Sequence, residues 1–393
     1  MQLSDVSYEY IPVVMGSDIN PLGTVRAFRS LALPCIIVAE KEGIACHSKY
    51  VHRSFLNANI LEALCAAGEY LEQCGKKGYL IPTSDAYALF LAKQGPLPPY
   101  HIVNECRETI EMCLDKTGLH ALMEEAGLAY PKSYRVESAR ELETLKEAMF
   151  PLLVKPACTV GFVNHFEKAH LLEKPEDIAA YVASVEKAGL GHHALVAQEF
   201  IPGPPQNLVY YFAYSKNGEP LREGTSRKIR QYPPETGTAT CVSYESIPDL
   251  FSVGRKINQL LHFSGFHGME FKYDPRDGRY YLLDSNPRTY LSVGAMEHTG
   301  VNVVLAAYLD FIGEDISFIP ENMQTKVLWV KDYDDAIRAI YSNRLRYPAF
   351  AMNPFAYWKS RRGHVVFGIK DADDPTPLRY LRKKKVVSLV TRS

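Results

Sequence analysis

Over the first hundred residues, short apolar runs alternate with apolar positions at helical spacing. Ile11 to Met15 reads as a buried strand. The polar turn Gly16-Ser17-Asp18 follows it, then a helical pattern from about Pro21 to Ala32. Cys35 to Ala39 and Tyr79 to Pro82 read as further buried strands, and Thr83-Ser84-Asp85 offers capping oxygens to the next helix. Strand, helix and strand in this rhythm predict a parallel α/β layer. Gly16 and Gly23 do not complete a GxGxxG, so the pattern speaks against a dinucleotide fingerprint.

The stretch QGPLPPY (94–100) reads as a linker. A helix is predicted from Asp115, with Leu119, Leu122, Met123 and Ala126 at i, i+3, i+4 and i+7, and Gly127 and Pro131 mark its end. Leu152-Leu153-Val154 predicts a strand leading into Lys155-Pro156, and Ala194 to Ile201 another, ended by Pro202-Gly203. Asn217-Gly218, between β-rich runs, is a hairpin signal. In GMEFKYDPRDGRYYLLDSNPR (268–288), Met269 to Tyr273 and Arg279 to Ser285 are joined by a five-residue loop of turn-forming residues. If Tyr273 pairs with Arg279, residues 270, 282, 284 and 286 share one face, because side chains alternate with period two. Glu270, Asp284 and Asn286 then bring three oxygen ligands together.

Composition narrows the classes. The chain has 393 residues, 47% hydrophobic and 23% charged, with 44 basic against 45 acidic side chains. A net charge of −1 argues against a dedicated nucleic-acid binder. At roughly 100–200 residues per domain, two or three domains are expected. No apolar run has the ~18 residues of a membrane span. The first residues, MQLSDVSYEY, lack the basic and apolar regions of a secretory signal. The 8 cysteines form no CxxC pair or zinc-site spacing, which suits reduced thiols in a cytoplasmic protein.

Two carboxylates and an amide oxygen on a rigid hairpin suit magnesium, which takes oxygen ligands and is usually completed by substrate phosphates. The plain alternative is the polar face of an exposed hairpin, although facing acids repel without a cation between them. Lys155, at a strand end before Pro156, suits a phosphate partner. Lys116 lies in a first helical turn, where the helix dipole favours acids, so an anion nearby would explain it; a solvated lysine is the alternative. Arg227, Lys228 and Arg230 form a basic cluster, and Arg288 follows the acidic strand. Such cations around a metal site are what triphosphate chemistry requires. No P-loop, kinase, GxSxG or HExxH pattern is present. His262, His267 and His298 read as core or surface residues rather than ligands.

These residues together resemble the ATP-grasp superfamily of carboxylate–amine ligases. The likeness is carried by Asp115-Lys116 with its helix, PLLVKPA (151–157), AQEFIPG (197–203), GMEF (268–271) and LLDSNPR (282–288). IPTSDAY (81–87) and RKIRQYPPETGTAT (227–240) are similar to the branch that includes peptidoglycan D-aspartate ligase. The resemblance implies an α/β and α+β multidomain chain: a Rossmann-like N-terminal parallel-sheet domain (1–110), a linker helix and small lid domain (111–205), a C-terminal catalytic domain (206–310) and an extension (311–393). ATP would lie between two sheets. Lys116 and Lys155 would meet its phosphates, and Gln198, Glu199, Phe200 and Ile201 would bind the nucleotide, with Glu199 and the Ile201 backbone on adenine. Glu270, Asp284 and Asn286 would bind Mg2+, two ions being expected and Mn2+ a substitute. Arg288 with Arg227, Lys228 and Arg230 would steady the transferred phosphate and the acyl phosphate. Two departures stand out: Asp284 replaces the usual Glu, one methylene shorter, and the loop ACTVGFVNHF (157–166) has only Gly161 where many relatives are glycine-rich.

The activity implied is amide formation from a carboxylate and an amine through an acyl phosphate, releasing ADP and phosphate. The implied partners are small molecules, an amino acid such as D-aspartate and a peptide or other amine, with a homodimer left open. The alternatives are a bicarbonate-dependent carboxylase of the same superfamily and a nucleotide-binding protein without turnover. In the tail, YWKSRRG (357–363), DADD (371–374) and RKKK (382–385) read by default as solvated charge. The rival reading is contact with an anionic substrate or an inner membrane face.

Overall fold

A computed structural model describes residues 3, 6–104, 106–157, 169–234 and 237–390, apart from the side chains of 116–117 and 385–390. The chain divides into two compact units: Met1–Leu114, Leu208–Glu270 and Asp284–Ser393 form the first, and Asp115–Asn207 with Phe271–Leu283 form the second.

In the first unit, β1 (Tyr10–Met15), β2 (Cys35–Ala39), β3 (Val51–Leu56), β4 (Lys77–Ile81) and β5 (Tyr100–Ile102) pair in the order β3-β2-β1-β4-β5, every pairing parallel. β2 is buried at every position, and β1 at all but Tyr10, as a sheet covered on both faces requires. Apolar side chains of Val303–Phe311 and Trp329 join the same core. The strand order reverses between β1 and β4, so the turns after them, Gly16–Asp18 and Thr83–Asp85, flank a topological switch point. Open α/β sheets bind ligands at such points.

Two strands escaped the apolar pattern. β3 (VHRSFL) has no buried position, with Arg53 and Leu56 exposed and the rest half-buried, so its residues do not alternate cleanly. β5 begins at Tyr100, inside the stretch expected to be a linker, because its backbone pairs with Gly78–Leu80. The first helix spans Ile19–Arg26 rather than reaching Ala32. The remainder tightens into a 3-10 turn at Arg29–Leu31, closed by Ala32 at φ 50°.

The second unit holds β6 (Ser133–Val136), β7 (Leu152–Pro156), β8 (His170–Leu172) and β9 (Leu195–Glu199), in the order β6-β9-β7-β8 and all antiparallel. Helix Asp177–Lys187 buries Ile178, Tyr181, Val182 and Val185 in the core formed with Leu152, Val154, Leu195 and Ala197.

A third sheet runs β14-β13-β10-β11-β12-β15-β16, from β10 (Leu208–Lys216), β11 (Glu219–Tyr232), β12 (Thr238–Tyr244), β13 (Gly265–Asp274), β14 (Arg279–Asn286), β15 (Val327–Val330) and β16 (Val365–Phe367). The β10–β11 turn places Asn217 at φ 51° and Gly218 at φ 85°, the left-handed pair of a type I′ hairpin. Among the described residues no helix is long and apolar enough to cross a membrane.

Candidate active site

β13 sends Met269 and Phe271 into the core, both fully buried, and leaves Glu270 between them half-buried. Period-two alternation is the cause: the neighbours of a core-facing residue must face the other way. On that other face the Lys228 Nζ of β11 lies 2.8 Å from Glu270 Oε2, with side-chain exposures of 13% and 28%. β10 contributes Tyr210, which pairs with Ser226 across the β10–β11 ladder. The side chain is half-buried, while its hydroxyl is buried and has no hydrogen-bond partner among the described residues. A Cβ on Gly268 would fall 1.9 Å from that hydroxyl oxygen, so the glycine is what lets the ring lie over β13.

Charged groups gather around this phenol. Burial raises its pKa well above the ordinary tyrosine value; Arg288 opposes the rise, and Glu270, Asp284 and Asp85 add to it. Arg288 donates through Nε and Nη2 to the two oxygens of Asp85, at 2.9 and 3.0 Å, a fork-on-fork pair. Nη2 also donates to Asn286 Oδ1 at 2.6 Å, and Nη1 to the Thr289 carbonyl at 3.0 Å. Burial disfavours the Arg288 charge, but the Asp85 carboxylate outweighs it and holds the guanidinium above its ordinary pKa. Asp85 opens helix Asp85–Gln94, which is capped by Ser84 accepting from the Tyr87 N–H at 3.2 Å, so Arg288 is fastened at the switch point of the parallel sheet.

Behind the strands, His267 Nδ1 donates to Asn258 Oδ1 at 2.5 Å. That leaves Nε2 to accept from the Ser285 hydroxyl at 2.7 Å, with Cys113 Sγ 3.8 Å away. Burial pushes this histidine down to about 3, so it is a neutral brace between β13 and β14. Ser285 lies between Asp284 and Asn286, so the brace steadies the strand that carries both. Among the described residues no three His, Cys, Asp or Glu side chains form a metal-holding group. The set at hand is two carboxylates and one amide oxygen. These are hard donors and fit a magnesium ion whose remaining positions come from water and phosphate. Lys228 on Glu270 and Arg288 on Asn286 supply the positive charge that such an ion would take over.

The other two basic residues of the 227–230 cluster on β11 have different commitments. Arg227 Nε meets Glu245 Oε1 at 2.8 Å, and Glu245 also takes Lys326 at 2.5 Å. Burial pushes the Glu245 carboxyl up, but Lys326 and Arg227 together hold it below its ordinary value. Arg230 pairs at 2.6 Å with Asp335, whose side chain is fully buried, and also donates to the Ser360 hydroxyl at 2.9 Å.

In the second unit, Lys155 Nζ donates to Gln198 Oε1 at 3.2 Å, and Gln198 Nε2 donates to Ser133 Oγ at 3.1 Å. The register explains the first contact: Leu153 faces Gln198 on β9, and Lys155 lies two residues further along the same face. Glu199 accepts from Arg276 at 3.4 Å, Phe200 N–H donates to the Pro151 carbonyl at 3.0 Å, and Ile201 is buried. Lys116 opens helix Lys116–Glu125, but its side chain lies outside the described residues, as do Gly161 and Cys158. Sequence reasoning did not single out Tyr210 or Asp85. Tyr210 sits among other aromatics in LVYYFAYSK and reads as core, and Asp85 reads as a helix-capping acid; Gly268 was the available signal of close backbone approach.

No family model matches the chain. It is 26% identical over 340 residues to a D-aspartate ligase of Enterococcus faecium, covering 79% of this chain and 77% of that one. It is 24% identical over 340 residues to the carbamoyl phosphate synthase large chain of Thermotoga neapolitana, covering 81% of this chain but only 30% of the longer one. In structure it is similar to N5-carboxyaminoimidazole synthetase from Staphylococcus aureus complexed with ADP, with a TM-score of 0.66, 12% identity and coverage of 87% of each chain.

Proposed function

We propose that this chain is an ATP-grasp, ADP-forming ligase that joins a small carboxylate to an amine, a reading supported by its similarity to a D-aspartate ligase and to carbamoyl phosphate synthase. The superfamily's ligases and carboxylases share the use of ATP with magnesium. The finer reading, amide formation with an amino acid substrate of the D-aspartate type, is supported by the D-aspartate ligase relative. The observation that carries it is the gathering of Glu270, Asp284, Asp85 and Arg288 about the buried Tyr210 hydroxyl, with Lys228 on Glu270. A solvated hairpin face has no reason to assemble charges of both signs around one buried phenol.

A carboxylate resists amines because it is anionic and would have to expel oxide. ATP supplies the remedy: its terminal phosphoryl group breaks its bond to ADP, which leaves, and bonds to a carboxylate oxygen; the amine nitrogen then bonds to the acyl carbon, phosphate departs and the amine loses a proton. On this reading Glu270, Asp284 and Asn286 hold magnesium. Arg288, anchored by Asp85 at the switch point, neutralises charge on the substrate acid and the transferred group, and Lys228 adds a second cation. Lys155 serves the phosphates, and Gln198, Glu199, Phe200 and Ile201 the base, with Lys116 a further phosphate contact. Arg227 and Arg230 act from a distance, as supports of β11. No residue needs to become covalently attached; the chain contributes positioning and charge.

ADP release from purified protein, magnesium and ATP, measured across paired carboxylates and amines with D-aspartate included, tests the proposal. Turnover should require both partners and no bicarbonate. Bicarbonate-dependent turnover would favour the carboxylase branch, and nucleotide binding without ADP release under any pairing would overturn the ligase reading. Glu270→Gln, which removes one charge and keeps the shape, should reduce turnover at least roughly a hundredfold with unchanged melting.

A further inference from the structure

Residues Asp332–Arg346 form one helical run, with a π-helical stretch at Ile337–Ser342. This run is amphipathic in the inverted sense. It buries Asp335, Ala339 and Asn343, each four residues after the last, and exposes Ile337, Tyr341 and Leu345 on the opposite side. The inward acid is satisfied by Arg230, so the inversion is built in rather than a packing failure. Leu345 is 85% exposed, between the exposed Arg344 and Arg346. The short helix Pro354–Lys359 repeats the arrangement: Tyr357 is buried, while Phe355 and Trp358 are 69% and 57% exposed.

Charge identifies the occupant. From Ile337 to Gly363 the sequence carries Arg338, Arg344, Arg346, Lys359, Arg361 and Arg362 and no Asp or Glu. Arg338 is engaged by Asp334, but no described carboxylate pairs with the other five. Beside Trp358 an open pocket of about 370 Å³ is lined by Arg361, Arg362, Gly363, Val365 and Phe367. Arg361 lies 4.4 Å over the Tyr357 ring, and its Nε is buried without a partner among the described residues; Arg362 lies 5.3 Å over Trp358. Apolar and aromatic side chains outward, flanked by arginines without a carboxylate partner among the described residues and beside a recess lined by two of them, are what an interface of anionic headgroups over acyl chains accommodates.

We propose that residues 337–363 form a peripheral docking surface for an anionic phospholipid membrane: Ile337, Tyr341, Leu345, Phe355 and Trp358 enter the headgroup–acyl boundary, and the recess at Arg361 and Arg362 takes a lipid phosphate. This is surface association and does not call for a membrane span. It is independent of the ligase reading.

The protein carries its own reporter, because Trp329 is buried and Trp358 is the other of its 2 tryptophans. The full chain is titrated with vesicles of phosphatidylglycerol and phosphatidylcholine, and with phosphatidylcholine alone, following Trp emission and co-sedimentation. A blue shift and pelleting with the anionic vesicles only, weakened by salt, are expected. Arg344→Gln, Arg346→Gln and Arg362→Gln combined should weaken binding roughly a hundredfold, at ~1 kcal/mol per charge. Leu345→Ser with Phe355→Ser should weaken it at least roughly tenfold; all five positions are exposed, so melting should be unchanged. The proposal is overturned by any of four results: no anionic-vesicle binding, binding that survives these variants but is lost on deleting 382–393, an equal shift with inorganic phosphate or duplex DNA, or self-association that buries Trp358 in place of vesicle binding.

Discussion

Gly268 is the position where a single methyl group bears most directly on the site. A Cβ there meets the Tyr210 oxygen at 1.9 Å and its ring carbon at 2.5 Å, and the ring is already packed against Tyr290 at 4.8 Å. Gly268→Ala should therefore cost about 1–3 kcal/mol by overpacking, seen as a lowered unfolding midpoint, and should reduce ADP release by moving the ring from the charged cluster. A variant with full stability and activity would show that the ring does not need this place. His267 allows a second prediction at the same scale. A base held at about 3 in the fold, against roughly 6.5 when unfolded, lets only the unfolded chain bind the proton between these values. Stability should thus be fully present above about pH 6.5 and decline on acidification, by up to ~1.4 kcal/mol per pH unit from this one group. His267→Gln should show a shallower acid slope in urea unfolding, whatever its baseline cost; identical slopes would mean that the wild-type imidazole titrates normally.

At the scale of elements, three of the cations on β11 have three separate destinations, and the sequence presents them as one cluster. Lys228 reaches Glu270, Arg227 reaches Glu245, and Arg230 reaches back to Asp335 in the extension. Alternation along the strand could be read from the sequence, but the partners could not, because each comes from an element at least eighteen positions away. The expected costs differ accordingly. Arg230→Met strands a fully buried Asp335 carboxylate and should lower stability by about 3–5 kcal/mol. Arg227→Met leaves Glu245 with Lys326 and should cost no more than about 1 kcal/mol. Chemical unfolding of the two variants checks the ranking. If Arg230→Met keeps its stability and loses only turnover, the residue serves the substrate directly rather than β11. Hairpin chemistry was legible in full at this scale: Asn217-Gly218 turns as its residue types demand, and Gly278 at φ 73° closes the loop between β13 and β14. β5 was hidden because Gly-Pro-Leu-Pro-Pro before it signals a break, and only its neighbour β4 makes Tyr100–Ile102 a strand.

At the scale of the molecule, the two ends of the first unit are joined by an ion pair that the sequence does not announce. Arg26, in the first helix, donates to Asp374 at 3.0 Å, with side-chain exposures of 4% and 0%, and Ser48 and the Lys49 N–H complete the carboxylate at 2.7 and 2.9 Å. The acidic DADD segment, which reads as solvated charge, thus contains one of the most buried carboxylates of the chain. Asp374→Ala should destabilise the first unit by about 3–5 kcal/mol, since Arg26 is left charged in the core. Deletion from Arg382 onward should leave the urea midpoint unchanged. Equal effects of the two changes would mean that the terminal helix as a whole, rather than this pair, holds the ends together.

The strands β1, β2, β4, β7 and β9 and the hairpin turns follow from backbone preferences and from runs of buried positions, which act over a few residues and are written locally. Which acid meets which cation was settled only by packing. Arg288 finds Asp85 from 203 positions away and Arg230 finds Asp335 from 105, and a charged side chain looks the same in a sequence whether water or a buried partner surrounds it. The outward apolar face of 337–346 was hidden for the same reason. Its spacing is that of any amphipathic helix, and the buried pairing of Asp335 decides which side turns to solvent.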